Sequence, residues 1–457
     1  MQASLYDRDQ LEKEMKTFIK VSVCASFLIG VSASFSQTLD FHSNISRPIS
    51  TAFESSSRLN DESKEASPYV VLLLLDGFRF DYAIHHEAKN ILKMAHDGAS
   101  APSGMLPSYP SISIPNYYAL VSGLYPDHHG LIDNQFYDPA RKTTWDATDL
   151  AKRNDASWYR GTPLWVAVEN AGLRTGCIAW VGCEAKISGV LPSLIVPYVA
   201  NDKRISDEQK IDQLVSWLDL PSKTRPHLLL AWLSDTDHAG HQFGPDSRQL
   251  TSAVTAVDAL VGRLRTGIAK TGLPVNLLVL SDHGMANIQG PWVDLDRYAD
   301  LHDVVTDGPR MYPANEETAA RIYAKLKNVD TRFQVFRRNH LPAELDYGVD
   351  PRDGDPIVVA NGPYLIRARH DDAGSDQHPE MRGTHGFDPA RVPQMYASFY
   401  AIGPDIAPGL TLKPFPNVDV FPTVLKLLQL PPIPSDGSAI PLNTGASRSI
   451  PTSLIQP

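Results

Sequence analysis

Carboxylate and imidazole side chains follow the apolar runs of this chain. Asp76 ends the run VVLLLL, and Asp282 with His283 ends the run NLLVLS. Asp237 and His241 lie just beyond the run LLLAWL. In an α/β protein with a parallel sheet, ligands bind at the carboxyl ends of the strands. A carboxylate there is costly unless it is paired or bound to a metal, so the spacing favours a metal-dependent site over simple packing.

The residue types suit two divalent metal ions. His385, in the glycine-flanked loop GTHG, completes a set of three Asp and three His for two tetrahedral ions. Mixed nitrogen and oxygen ligands favour zinc over magnesium or calcium, which prefer oxygen alone. Two alternatives remain open from the residues: an Asp and a His four positions apart are usually surface residues, and Asp76 or Asp282 could cap a turn or a helix.

Ser113 is the candidate nucleophile, in the segment PSISIPN. Serine and proline runs are usually loops, so this segment by itself indicates nothing more. The sequence that follows, YYALVSGLYP, predicts a helix that begins just after Ser113. The N-terminus of such a helix would direct backbone N–H groups and a positive dipole at a phosphoryl oxygen.

The whole chain predicts a large α/β protein. Its 457 residues are 42% hydrophobic, which is ample for the core of one or two domains. The formal net charge of -10 argues against a protein that coats nucleic acid. Apolar runs alternate with amphipathic stretches, which predicts a mostly parallel sheet covered by helices on both faces. The predicted strands are residues 69–75, 175–181, 228–233 and 277–280, and the predicted helices are 84–95, 164–171, 206–218, 247–271 and 418–430.

The amino terminus is typical of an export signal, predicted over residues 1–36. A basic start from Met15 precedes a short apolar stretch and the cleavage-site pattern Val31-Ser32-Ala33. We expect translation to begin at Met15, and we expect a periplasmic or secreted product with no transmembrane segment in the mature chain. The apolar stretch is too short to span a bilayer, and the alternative is a buried amphipathic helix.

The remaining boundaries follow from composition. Residues 37–67 are polar and aperiodic, which predicts a flexible leader, and 68–434 form the predicted catalytic domain. Residues of about 300–370 predict a small insert of antiparallel hairpins, and 435–457 predict a surface tail. Cys177 and Cys183 are expected to be buried free thiols, because six residues of strand would hold their α-carbons roughly 20 Å apart.

Six sequence blocks in order make the chain recognisable. They are LLLDGFRFDY, SIPNYYALVSGLYPDHHGLIDN, WYRGTPLW, SDTDHAGHQFGP, LVLSDHGM and RGTHGFDP. Together they resemble the nucleotide pyrophosphatase/phosphodiesterase family, the type I phosphodiesterases of the alkaline phosphatase superfamily. The resemblance implies an alkaline-phosphatase-like three-layer α/β/α sandwich with a mostly parallel central sheet.

The resemblance also implies residue roles. One zinc would be bound by one group of three side chains, and the second zinc by another group together with the nucleophile Ser113. Asn134 would hydrogen-bond a phosphoryl oxygen beside the Ser113 backbone N–H. The first implied group is Asp237, His241 and His385, and the second is Asp76, Asp282 and His283.

Two positions bear on the substrate. Relatives that cleave nucleotides often have an aromatic residue directly after the nucleophile, where this chain has Ile114. Tyr198 is the candidate for a remaining aromatic contact. We therefore expect a two-zinc hydrolase of phosphodiester or pyrophosphate bonds in nucleotides and related small diesters. The alternatives are a phosphomonoesterase or choline-phosphodiester hydrolase of the same fold, and a non-catalytic zinc-binding protein.

Overall fold

The computed structural model of the protein describes residues 49–198, 205–369 and 381–443. The export signal predicted at residues 1–36 lies outside these residues, as do the start of the predicted leader and the end of the predicted tail. Within the described ranges, no helix is both long and apolar enough to cross a membrane.

The strands are longest at the centre of the molecule and short elsewhere. In chain order they are β1 (Phe53–Glu54), β2 (Tyr69–Leu75), β3 (Ala99–Ser100), β4 (Gln135–Asp138), β5 (Thr143–Asp146), β6 (Thr175–Ile178), β7 (Leu194–Val196), β8 (Leu228–Leu233), β9 (Val275–Leu280), β10 (Ala286–Asn287), β11 (Val293–Asp294), β12 (Val305–Asp307), β13 (Arg310–Tyr312), β14 (Phe333–Phe336), β15 (Ile357–Ala360), β16 (Ile366–Arg367), β17 (Gly383–Thr384), β18 (Phe399–Ile402) and β19 (Leu410–Thr411).

Nine strands form the central sheet, in the order β1-β7-β6-β8-β2-β9-β18-β3-β19. The strands from β7 to β9 are parallel to one another, whereas β1 and β18 run antiparallel to their neighbours. Every residue of β2, β8 and β9 is buried. Because both faces of such strands are covered, their sequences are continuous apolar runs rather than alternating ones.

The helices form two groups, which are the two outer layers of the α/β fold. Helices α2, α7 and α8 each contact the long helix α9, while α3 contacts α4 and α11, and α11 contacts α6. In chain order the helices are α1 (Tyr82–His85), α2 (Lys89–Asp97), α3 (Ser113–Ser122), α4 (Pro126–His129), α5 (Leu150–Arg153), α6 (Leu164–Asn170), α7 (Asp207–Leu218), α8 (Asp235–Phe243), α9 (Arg248–Thr271), α10 (Glu316–Leu326) and α11 (Val420–Leu427).

The expected α/β fold with a mostly parallel sheet is confirmed, but two predicted helices differ. The helix predicted at 84–95 is divided into α1 and α2 by Glu87, whose φ is 53°. The helix predicted at 418–430 begins as a 3₁₀ turn, and α11 follows it. Asn417, the first residue of that 3₁₀ turn, hydrogen-bonds the side chains of Ser108 and Asn116.

The insert has a hydrophobic core of its own, which spans Val293 to Ala368. Two of its strand pairs, β12–β13 and β14–β15, are antiparallel hairpins as expected. The pair β11–β16 is parallel, and α10 packs near β14. The insert contacts the catalytic sheet's loops through Arg310, which forms an ion pair with Asp133 beside the candidate residue Asn134.

Part of the predicted leader belongs to the fold. Strand β1 pairs with β7, and Ile49 lies in the main hydrophobic core. Asn60 donates hydrogen bonds to the backbone oxygens of Ser222 and Arg225 and accepts one from Arg174. Residues 49–67 are therefore attached to the sheet, and their polar composition reflects hydrogen bonds to neighbouring loops.

The prediction of two free thiols is wrong, because Cys177 and Cys183 form a disulfide bond. The strand predicted at 175–181 ends at Ile178. Ala179 and Gly182 then adopt positive φ angles of 52° and 94°, so the chain folds back on itself. The two α-carbons lie 6.5 Å apart as a result, within the range that a disulfide can span.

Candidate active site

The carboxyl end of β2 places Asp76 at the centre of the molecule. Its Oδ2 accepts hydrogen bonds from the Tyr117 hydroxyl and, at 2.9 Å, from the Trp232 indole nitrogen. Its backbone oxygen accepts a hydrogen bond from Thr236 at 2.5 Å. The other carboxylate oxygen, Oδ1, is buried and has no hydrogen-bond partner among the described residues.

The neighbouring strand β9 ends with Asp282 and His283, which are both fully buried. Asp282 Oδ1 accepts hydrogen bonds from the Gly77 backbone at 3.1 Å and from Ser281 at 3.1 Å. Asp282 Oδ2 lies 2.9 Å from His283 Nε2. The third ligand candidate at this edge is Asp76, whose Oδ1 lies 3.6 Å from the same nitrogen.

Helix α8 and a loop after β17 supply the other three candidates. Asp237 Oδ1 lies 3.4 Å from His241 Nε2 and 3.6 Å from His385 Nε2. The two imidazole Nε2 atoms are 3.1 Å apart. Asp237 and His241 are four positions apart on one helix, so they lie on the same face of it.

The six residues therefore form two compact ligand groups, as expected from the sequence. Within each group the candidate ligand atoms all lie within 4.8 Å of one another. The first group comprises Asp237, His241 and His385, and the second group comprises Asp76, Asp282 and His283.

The three histidines are oriented in the same way. Each Nδ1 lies next to a backbone oxygen: that of Gly383 for His241 at 2.9 Å, of Gly284 for His283 at 2.9 Å, and of Ser111 for His385 at 3.0 Å. A proton on Nδ1 would be donated to that oxygen and would leave the Nε2 lone pair for an ion. Metal-binding histidines are held in this way, so that the free nitrogen faces the ion.

The carboxylate oxygens and imidazole nitrogens of the two groups are suited to bind metal ions. Asp76 Oδ1, Asp237 Oδ1 and Asp282 Oδ2 are buried, and among the described residues the polar atoms that face them are the histidine Nε2 atoms of the two groups. Carboxylate charges gathered in a buried site cost several kcal/mol unless cations compensate them. A zinc ion in each group would accept both these oxygens and the facing Nε2 lone pairs.

The two groups adjoin each other. The rings of His283 and His385 stack with their centroids 3.6 Å apart. Gly77, which follows Asp76, has a φ of 63°, and a Cβ there would lie 3.0 Å from the Asp237 α-carbon. A side chain at Gly77 would therefore separate the two groups, so glycine is required for their close approach.

Charge within the site shifts its pKa values. Burial, together with Asp282 and Asp237, raises the pKa of Asp76 well above its ordinary value. Burial and the neighbouring rings of His283 and His241 lower the pKa of His385 well below its ordinary value. His385 is therefore neutral at physiological pH, as a metal ligand must be.

Ser113 is the first residue of α3, and its hydroxyl lies 3.1 Å from His283 Nε2. The Asn134 side-chain oxygen accepts a hydrogen bond at 2.9 Å from the backbone N–H of Ile114. That bond directs the oxygen of Asn134 to the helix and leaves its amide N–H groups to donate elsewhere. The nucleophile candidate, the helix N-terminus and Asn134 are thus brought together at the second group.

The two predicted substrate contacts are both packed in the protein interior. The Ile114 side chain is 2% exposed and Tyr198 is 7% exposed. The Tyr198 ring packs on Trp232, with centroids 5.1 Å apart, and the Arg153 guanidinium lies 4.9 Å from the Tyr198 ring centroid. Tyr198 lies close enough to the site for Asp76 to contribute to the raised pKa of its phenol, after burial. A contact of either residue with substrate stays a prediction.

Sequence reasoning did not identify the residues that support the ligands. Tyr117 lies four positions after Ser113, so its position on the same helical face was a usable signal. Trp232 is the only side chain with a hydrogen-bond donor in the run LLLAWL of β8. Ser111 gave no such signal. Its hydroxyl donates to the Phe387 backbone oxygen at 2.7 Å, and its own backbone oxygen orients His385.

This sheet, with both ligand groups at its carboxyl edge, defines an alkaline-phosphatase-like α/β protein. The family model described as type I phosphodiesterase / nucleotide pyrophosphatase matches residues 70–388. The chain belongs to this family.

Curated relatives agree with the family model. Ectonucleotide pyrophosphatase/phosphodiesterase family member 1 of Mus musculus is 32% identical over 398 residues, which cover 82% of this chain and 42% of the relative. An uncharacterized pyrophosphatase/phosphodiesterase of Schizosaccharomyces pombe is 31% identical over 393 residues, covering 82% of this chain and 80% of the relative. The chain thus spans less than half the length of the mouse protein.

Solved structures show the same fold. Murine ectonucleotide pyrophosphatase / phosphodiesterase 5 matches with a TM-score of 0.74 and 26% identity, covering 81% of this chain and 97% of that one. An inactive form of that murine protein was solved in complex with AMP, and it matches equally well.

Proposed function

We propose that this protein is a two-zinc hydrolase that cleaves phosphodiester or pyrophosphate bonds of nucleotides and related small diesters. One observation carries the proposal: two groups of Asp and His side chains adjoin the hydroxyl of a serine at a helix N-terminus. The membership of the chain in the type I phosphodiesterase family supports it.

The proposed assignment of the metals follows the two ligand groups. Asp237, His241 and His385 would hold one zinc ion, and the second ligand group together with Ser113 would hold the other. When bound, the two ions supply Lewis acidity that lowers the pKa of an attacking hydroxyl and neutralises phosphoryl oxygens. The three imidazoles favour zinc over magnesium and calcium.

Ser113 performs the chemical step in this proposal. Its Oγ attacks phosphorus in line with the leaving oxygen, and a covalent seryl phosphate ester forms as the leaving group departs. Water then cleaves that ester and regenerates the serine. Division of the reaction into two displacements lowers the barrier of each one.

Asn134 and the first turn of α3 stabilise charge on the phosphoryl group. The Asn134 side-chain oxygen is occupied by the Ile114 N–H, so its amide N–H groups are the donors available to a phosphoryl oxygen. Donors that are already oriented cost no rearrangement during the reaction, which is why such groups contribute strongly to catalysis.

Diesters are the proposed substrates rather than monoesters. A monoester carries an additional charged oxygen that needs a partner. Beyond the metals and Asn134, we identify no dedicated partner for it among the described residues. Nucleotides are proposed as substrates because of the family, and the AMP complex of the murine neighbour supports that choice. Ile114 and Tyr198 are proposed to line the space for the second substituent.

Three nitrophenyl substrates test the activity: a nitrophenyl nucleotide diester, nitrophenyl phosphate and nitrophenyl phosphorylcholine. We expect kcat/KM to be highest for the nucleotide diester. A wide preference for the monoester would support an alkaline-phosphatase-like enzyme, and a preference for the choline ester would support a choline-phosphodiester hydrolase. A zinc-loaded protein that cleaves none of them would support a non-catalytic zinc-binding protein.

Export of the protein is also proposed, to the periplasm or the medium. The pattern from Met15 to Ala33 and the Cys177–Cys183 disulfide support it, because disulfides persist in oxidising compartments. Amino-terminal sequencing of the mature protein tests this proposal. A mature chain that still carries residues 15–33 would contradict cleavage of the signal.

A further inference from the structure

Only one of the two carboxylate oxygens of Asp76 accepts hydrogen bonds from the described residues. Its Oδ2 accepts hydrogen bonds from Tyr117 on α3 and Trp232 on β8, while its Oδ1 has no hydrogen-bond partner among the described residues. Oδ1 faces His283 Nε2 of the second ligand group at 3.6 Å. The two oxygens of one carboxylate therefore have different surroundings, and only Oδ1 is left for an ion.

We propose that Tyr117 and Trp232 are positioning residues of the second metal site, which hold Asp76 as a ligand through Oδ1 alone. This inference rests on the proposed two-zinc function. Supporting residues that hydrogen-bond a metal ligand fix its orientation, and their loss commonly weakens metal binding by about 10–100-fold. Both donors reach the same oxygen, so together they prevent the carboxylate from rotating to bind through Oδ2.

Both donors are packed among other aromatic rings. The Tyr117 ring lies between Trp180 and Trp232, with centroids 6.2 Å and 6.3 Å away. Trp232 is packed against Tyr198, and Lys210 lies above its ring and donates to its backbone oxygen. Substitution of Tyr117 by Phe would remove the hydroxyl and keep these ring contacts.

The nucleophile Ser113 and a hydrogen-bond donor to the metal ligand Asp76 lie on one element. Tyr117 lies one helical turn after Ser113, so α3 carries both the serine hydroxyl and a donor to Asp76. A shift of α3 would move both of them together. The hydroxyl of Tyr117 thereby couples the position of the nucleophile to that of the second ligand group.

The adjacent residue provides a matched control. Tyr118 is as deeply buried as Tyr117, but its hydroxyl has no hydrogen-bond partner in the described part of the chain. Tyr118→Phe therefore removes a buried hydroxyl from the same helix without loss of a hydrogen bond. A difference between Tyr117→Phe and Tyr118→Phe reports the bond to Asp76 rather than the loss of an oxygen atom.

Zinc binding to the metal-free protein tests the inference by competition with a chromophoric chelator. We expect Tyr117→Phe and Trp232→Phe to weaken the second zinc site by about 10–100-fold, and to leave the first site and the Tyr118→Phe protein at the parent value. Saturating zinc should restore kcat of Tyr117→Phe close to that of the parent.

Two results would overturn the inference alone. One is a parent that binds two zinc ions while both Tyr117→Phe and Trp232→Phe retain the parent affinity at the second site. The other is an equal loss at both sites with a lowered Tm of the metal-free protein, which would indicate a general structural role. A parent that binds fewer than two zinc ions would instead overturn the proposed function, and this inference with it.

Discussion

The two ligand groups differ in how firmly the protein holds them. In the second group, the side chains of Asp282 and His283 are fully buried, and they follow a strand at the centre of the sheet. In the first group, His241 lies on a short helix with 25% of its side chain exposed, and His385 lies on a loop. The second ligand group therefore lies within the core of the protein, and the first ligand group lies closer to the surface.

The difference has a chemical consequence. We expect a site whose ligands follow a central strand to keep its geometry without the ion and to exchange ions slowly. The first group is the more exposed of the two, which suits the side from which a leaving group departs and water enters. We therefore expect the second ligand group to serve the nucleophile Ser113, and the first group to serve the leaving group.

The largest effect is expected from Ser113→Ala. The variant should lose activity toward a nitrophenyl nucleotide diester by on the order of 10³-fold or more, because the nucleophile is removed. It should retain the fold and both zinc ions, measured by circular dichroism and elemental analysis.

The control for Ser113→Ala is Ser122→Ala, at the other end of α3. The Ser122 hydroxyl is buried, donates to the Tyr118 backbone oxygen and accepts a hydrogen bond from the Leu124 backbone N–H, and neither partner is a candidate ligand. We expect near-parent activity from it. Ser111 is unsuitable as a control, because its hydroxyl contacts Phe387 and Gly386 next to His385. Near-parent activity of Ser113→Ala would remove Ser113 from the mechanism.

Substitution of a single ligand should affect zinc binding at one site more than at the other. Asp76→Ala should abolish zinc binding at the second site, and His385→Ala should weaken chiefly the first site. The activity loss from either should exceed the roughly 10–100-fold typical of supporting residues. Added zinc should recover more activity in His385→Ala, because the more exposed site reloads more readily. Equal zinc loss in both variants would contradict two independent sites.

Chelation kinetics test the difference in burial directly. On addition of excess chelator to the zinc-loaded protein, one equivalent should leave at least about ten times faster than the other, since exposed ligands exchange more readily. His385→Ala should accelerate only the fast phase. Release of both zinc equivalents in one phase would show that the two ligand groups release their ions together despite the difference in burial.

The smallest effect concerns the stability of the metal-free protein. The pKa of Asp76 is raised by burial and by neighbouring carboxylates, so the folded state loses stability as the pH rises through that pKa. Asp76→Asn should therefore stabilise the metal-free protein by about 1–3 kcal/mol at pH 8 and by little at pH 4. Denaturant unfolding at the two pH values measures this. Destabilisation at pH 8 would show that the pKa of Asp76 is not raised in the metal-free protein.

The ligands themselves could be predicted from the sequence. Strands β2 and β8 occur where the apolar runs predict them, and Asp76, Asp237 and Asp282 follow such runs. A short continuous apolar run between turn residues is typical of a central strand, and the carboxyl ends of parallel neighbours lie at the same edge of the sheet. Apolar runs and residue types singled out the six candidates, and the family resemblance assigned them to two groups.

The disulfide and the supporting residues could not be predicted in the same way. The link between Cys177 and Cys183 depends on two positive φ angles that end β6 early, one of them at an alanine. The bonds from Tyr117 and Trp232 to Asp76 depend on how α3 lies across the sheet, which no local pattern specifies. The helix predicted at 84–95 is interrupted at Glu87, and no local pattern specifies the left-handed conformation of that residue either.

The sequence by itself determined the α/β class, the central strands and the six candidate ligands, because burial on both faces of a strand leaves a continuous apolar run that ends in the polar residues of the site. The tertiary structure decided which oxygen of each carboxylate is free, which nitrogen of each histidine faces the site, and how deeply each ligand group lies. Those properties depend on hydrogen bonds between residues far apart in the chain, such as the one from Gly77 to Asp282. Such bonds form only when the sheet and its helices have packed together.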